Sequence, residues 1–70
     1  MSEHIYKKLE LIGSSTVSSD DAIRNAISEA HKTIKHMDWF EVTESRGHIV
    51  DGNIAHWQVT IKLGFRLDGA

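Results

Sequence analysis

An α+β domain is predicted, a three-stranded antiparallel sheet partly wrapped around one helix in the order strand-helix-strand-strand. Three observations carry that expectation. Apolar residues recur at three- and four-residue steps from Ala22 to Met37, the spacing of one helical stripe. Trp57, Val59, Ile61, Leu63, Phe65 and Leu67 alternate with polar or small residues, the period of a half-buried strand. Between these runs lies Asp51-Gly52, a dipeptide suited to the positive φ angles of a type I′ hairpin turn. The 70 residues, 1–70, are expected to form a single domain.

The first strand is expected from His4 to Gly13, with Ile5, Leu9 and Leu11 on one parity and Tyr6, Lys8, Glu10 and Ile12 on the other. The hydroxyl-rich run Ser14 to Ser19 then reads as a helix-entry loop. Ser18 followed by Asp21 approximates a capping box, and Asp20 and Asp21 suit the positive end of the helix dipole. The helix should therefore start near Ser19. Ala22, Ile23, Ala26, Ile27, Ala30, Ile34 and Met37 form its apolar stripe, and Lys32, Lys35 and His36 gather where cations favour its end, at about His36 to Met37.

After Asp38 the period becomes two. With Asp51 and Gly52 as the turn, Trp39 falls opposite Gly64, Glu41 opposite Lys62, Thr43 opposite Thr60 and Ser45 opposite Gln58. Phe40 and Val42 then lie beside Leu63 and Ile61 on the face that receives the helix, and Trp39 lies on the other. A bulge between Gly47 and Ile54 would shift the pairing beyond it. A crossover joins the first two strands, and the last strand lies between them, antiparallel to both. The last strand, Ala55 to Leu67, is also too long for its helix: about 43 Å against about 26 Å. The uncovered sheet calls for other protomers, because a chain this short has a thin core.

Composition excludes several functions. The chain has no Cys, so neither disulfides nor thiolate zinc sites are available. A net charge of −2 supplies no field for nucleic acid or an anionic membrane surface. No apolar run reaches membrane-spanning length, and Met1-Ser2-Glu3-His4 lacks a secretory pattern, so a cytoplasmic location is expected.

Catalytic and metal centres are not expected either. His31 and His36, five apart on a helix, point about 140° apart. The register sets His48 and His56 near one another but on opposite faces, leaving exposed histidines as the favoured reading. Glu41 and Glu44, three apart on a strand, should face opposite ways, which is wrong for an acid/base pair. The serines match no nucleophile motif, and there is no glycine-rich phosphate loop. The chain is read as a non-enzyme.

Trp39 and Gln58 differ from these. An indole offers a broad π-face to a planar ring, and a glutamine amide offers both donor and acceptor to a heteroaromatic edge. The plainer alternative, favoured on physics alone, is that Trp39 plugs a protomer interface while Gln58 bonds a neighbour. Within one chain the two lie about 20 Å apart along the last strand. A small ring touching both residue types must therefore sit between protomers.

Ordered along the chain are Tyr6-Lys7-Lys8-Leu9-Glu10-Leu11-Ile12-Gly13-Ser14-Ser15, Asp38-Trp39-Phe40-Glu41-Val42 with Arg46-Gly47, Trp57-Gln58-Val59, and Gly64-Phe65-Arg66-Leu67. As a set they resemble the dodecins. The resemblance implies a small flavoprotein that assembles into a hollow homododecamer and binds flavins in pairs between subunits. It implies that Trp39 stacks on the isoalloxazine, with a symmetry-related copy closing the sandwich, and that Gln58 hydrogen-bonds the flavin ring. Arg46 and Arg66 match arginines placed to hold a ribityl phosphate or another phosphate-bearing ligand. Trp57 stands where the family pattern leads one to expect tyrosine, a departure that alters packing but leaves the Gln58 amide in place. The implied function is flavin storage with quenching of flavin photochemistry. Flavin mononucleotide (FMN) is the expected ligand, with riboflavin as the alternative and coenzyme A as a further candidate. The competing classes are a structural or adaptor oligomer and a small flavin-dependent enzyme.

Overall fold

Alternation in the first ten strand residues and the hydroxyl-rich loop after them produce β1, Tyr6–Ser15, followed by helix α1, Ser19–His31. The structure is a computed structural model that describes residues 3–67; residues 1–2 and 68–70 of the expected domain lie outside the described residues. β2, Met37–Val50, and β3, Asn53–Arg66, complete an open sheet of order β1-β3-β2, with β3 antiparallel to both neighbours. The expected fold and strand order hold.

The helix begins as its cap dictates. Ser18 is extended and its Oγ accepts the Asp21 N–H at 3.0 Å. Ser15, buried at the end of β1, ties the loop together: its Oγ donates to Asp21 Oδ2 at 2.7 Å and accepts the Val17 N–H at 2.9 Å. Ser15 and Ser18 are thus engaged in loop closure and capping.

The helix end is a correction. α1 stops at His31, not near His36, with Lys32 as C-cap. The Lys32 and Thr33 N–H groups bond three residues back, to Glu29 and Ala30 carbonyls, which tightens the last turn. β-branched Thr33 and Ile34 resist further helix. His36 then takes a φ of 63° and reverses the chain, so that its carbonyl accepts the Arg66 N–H at 3.1 Å. Ile34 and Met37 remain half-buried, so their apolar character serves packing outside the helix.

The strand boundaries shift by less. β1 runs on past Gly13 to Ser15, and Gly13 is instead the point of closest approach to the helix. A Cβ there would overlap the carbonyl oxygen of Ala22 and press on Ala26. Ala22, Ala26 and Ala30 present only methyls to the sheet, where Val59, Ile61 and Leu63 complete the buried core. Gly13→Ala should therefore destabilise the fold by about 1–3 kcal/mol through overpacking. Thermal denaturation checks this, and an unchanged melting temperature would contradict it.

The hairpin turn is at Asp51-Gly52, whose φ angles of 52° and 76° are both positive. From Trp39↔Gly64 to Val42↔Ile61 the register is the expected one. Thr43 then bulges, with its Oγ1 donating to the Thr60 carbonyl at 3.2 Å, and the pairing moves by one residue. Glu44 faces Thr60, Ser45 faces Val59 and Arg46 faces Gln58, in place of the expected Thr43–Thr60 and Ser45–Gln58 pairs. A second irregularity between His48 and Ile49 restores the offset before the turn. Because strand side chains alternate, the one-residue slip turns the following β2 residues to the opposite face. Glu41 and Glu44 consequently share a face, and so do His48 and His56, contrary to the parity expectation in both cases.

The helix lies over β1 and β3 and spans about 20 Å, whereas a 14-residue β3 spans about 46 Å. The hairpin projects beyond it, giving extents of 57 × 21 × 13 Å and a radius of gyration of 14.6 Å. A compact 70-residue domain would have about 11 Å. Phe40 and Val42 stay 45% and 49% exposed on the helix side, Ile12 is 65% exposed on the other face, and Ile49 is 77% exposed near the tip.

Candidate functional site

Trp39 sits at the start of β2, on the sheet face away from the helix, directly opposite Gly64. Its indole lies against that glycine: a Cβ on Gly64 would overlap ring atoms Cε2, Cζ2 and Cη2. Gly64 is buried as a result, and Trp39 is half-buried with the rest of its ring surface open. The β3 backbone forms a floor that only glycine allows.

Neighbouring side chains fix the ring's orientation. Two residues on, Glu41 Oε2 accepts the indole Nε1–H at 3.0 Å and also meets Lys8 Nζ of β1 at 2.7 Å. Tyr6 approaches the indole edge-on, with centroids 5.5 Å apart and planes at 66°. The indole's one donor is thus already engaged, and its π-face is what it can offer a ligand. Sequence reasoning singled out Trp39 but missed Tyr6, Lys8 and Glu41 as its supports. The signal was present in the same-face spacing of residues 39 and 41 and in the placing of β1 beside β3.

The Lys8 ammonium, and after it the Trp39 N–H, hold the Glu41 carboxyl below the ordinary carboxylate range. With the folded-state value depressed, the contribution of these bonds is fully present above the unfolded carboxyl's range and is lost as pH falls through the lowered value. Carboxyl-carbon NMR should show Lys8→Met raising the Glu41 midpoint more than Trp39→Phe does. The reverse order would contradict this assignment. A carboxyl kept ionised in this way is a poor general acid.

The Thr43 bulge sets Arg46 directly opposite Gln58 on the same face as Trp39. Six residues of β3 separate Gln58 from Gly64, about 20 Å along the strand. Arg66 belongs to the Trp39 end, where it lines a crevice of about 240 Å³ with His36, Met37 and Asp38. One chain therefore brings together two pairs, Trp39 near Arg66 and Gln58 beside Arg46, and keeps the pairs apart. Trp57, half-buried, faces the helix side opposite Gly47.

Among the described residues no three His, Asp or Glu side chains converge on a common metal position, and no helix is long and apolar enough to cross a membrane.

With this geometry in hand, similarity to known proteins decides the family. Residues 5–68 match the family model described as Dodecin. The chain belongs to the dodecin family. A dodecin from Thermus thermophilus is 45% identical over 64 residues, covering 91% of this chain and 93% of the relative. The structure of dodecin from Streptomyces coelicolor matches with a TM-score of 0.93 at 51% identity over the whole of both chains. Dodecin from Streptomyces davaonensis matches with a TM-score of 0.91 at 54% identity, over 96% of this chain and 98% of that one. Membership of the dodecin family implies an oligomeric assembly.

Proposed function

We propose that this dodecin stores flavin in a homododecamer, with each isoalloxazine stacked on Trp39 at a subunit interface. The observation that carries the reading is the Trp39 platform: an indole laid on Gly64, turned by Glu41 and braced by Tyr6, with a free π-face. A ring floored by backbone is pre-organised, so little conformational entropy is lost when a planar ligand stacks on it.

Gln58 supplies donor and acceptor to the flavin edge from another subunit, as its distance of about 20 Å from Trp39 within one chain requires. Arg46, beside Gln58, and Arg66, beside the Trp39 end, are the cations available to a phosphate-bearing tail, which favours FMN over riboflavin. The electron-rich indole quenches the excited flavin by electron transfer, so the bound ligand is held in a photochemically silent form. No substrate is turned over, and the assembly works in the cytoplasm.

The test is titration of FMN into the flavin-free assembly while flavin fluorescence is followed. Strong quenching that saturates near one flavin for each chain is expected, as the twofold pairing of identical sites would give. A fluorescent bound flavin would overturn the reading, and sustained oxidation of a reduced nicotinamide would replace it with a catalytic one.

A further inference from the structure

Beyond the proposed flavin site, His48 and His56 form an unassigned pair. They are direct partners across β2 and β3, on one face, with rings stacked 4.5 Å apart between centroids and planes at 25°. The Thr43 bulge creates this juxtaposition, since without the slip the two side chains would lie on opposite faces. His48 is exposed and His56 half-buried, so a solvated ion can reach them. The geometry points to a divalent transition-metal site formed by His48 and His56.

Cross-strand partners have Cβ atoms about 5 Å apart, and a small rotation about the side-chain torsions turns two stacked imidazoles edge-inward. Metal–nitrogen bonds of about 2.0–2.1 Å with a near-tetrahedral angle need ring nitrogens about 3.4 Å apart, within reach of rings already this close. Neutral imidazole selects borderline ions such as Zn²⁺ and Ni²⁺ over Mg²⁺ and Ca²⁺, which prefer oxygen. No third His, Asp or Glu among the described residues joins them, so water fills the remaining positions. The site is therefore open and exchangeable. The adjacent Arg46, two residues from His48 on the same face, disfavours an added cation and sets a modest affinity.

The test is calorimetric titration of the full-length assembly, freed of metal, with ZnCl₂ and separately with NiCl₂, for wild type, His48→Asn and His56→Asn. His48 is exposed and His56 half-buried, and gel filtration checks that both variants remain assembled. Each is expected to weaken Zn²⁺ and Ni²⁺ binding by roughly tenfold or more, because either loss turns a chelate into a single ligand. The double variant should bind no more tightly than either single, because it lacks both ligands. In wild type, imidazole ¹⁵N resonances of His48 and His56 should move together as Zn²⁺ is added, while His4, His31 and His36 stay in place. Equal affinity across the variants, a loss confined to one of them, or movement of only one ring overturns the assignment.

Discussion

Trp39→Ala should abolish the quenching of bound flavin while leaving the assembly intact. The indole is half-exposed and lies on the outer face of the sheet, away from the Ala22, Ala26, Val59 and Ile61 core, so its removal opens no buried cavity. What is lost is the stacking surface. A planar heteroaromatic ring stacked on an aromatic side chain gains about 1–3 kcal/mol per contact, so FMN affinity should fall about five- to 150-fold. The fluorescence of any flavin still bound should return. Gly64→Ala reaches the same end by another route: it keeps the tryptophan but drives the ring off its floor. Quenching that survives both substitutions would remove Trp39 from the site.

A larger effect is expected on folding itself. Phe40→Asp with Val42→Asp should dissociate the assembly and, with it, the cooperative fold. Both side chains are about half exposed in one chain, on the β2 edge of the helix-side face, which α1 does not cover. Burying what remains of each contributes on the order of 1 kcal/mol per residue per chain, repeated at every copy of the interface. The monomer has little to fall back on, since its core is three alanines against three aliphatic strand residues. Size-exclusion chromatography with light scattering and near-ultraviolet circular dichroism should show small, loosely packed species, and wild-type melting should depend on concentration. A monomeric variant that melts sharply with native near-ultraviolet signal would contradict this.

Much of this was legible in the residues because it rests on local chemistry. The Ser18 cap, the Asp51-Gly52 turn and the alternation of β3 each specify a backbone conformation through their immediate neighbours. The Trp39↔Gly64 pairing was also legible, since four residues of clean alternation from residue 39 to residue 42 carry the register. The end of α1 was not, because Ile34 and Met37 keep helical spacing while packing from the connection after α1 and from the first residue of β2. Nor was the Thr43 bulge: no glycine marks it, and the hydrogen bond that holds it reaches a carbonyl 17 residues away.

The sequence by itself determined the elements, their order, the turn and a tryptophan on a glycine floor, all consequences of periodicity and short-range pairing. Only the tertiary structure decided which side chains share a face beyond residue 43, and with that the placing of Arg46 beside Gln58 and the stacking of His48 on His56. The physical reason is that a strand's faces alternate with every residue, so one bulged threonine inverts every assignment that follows until the next bulge. The Lys8–Glu41–Trp39 bracing belongs to the same class, because it joins β1 to β2 across β3 and depends on the β1–β3 register, which no hairpin turn fixes.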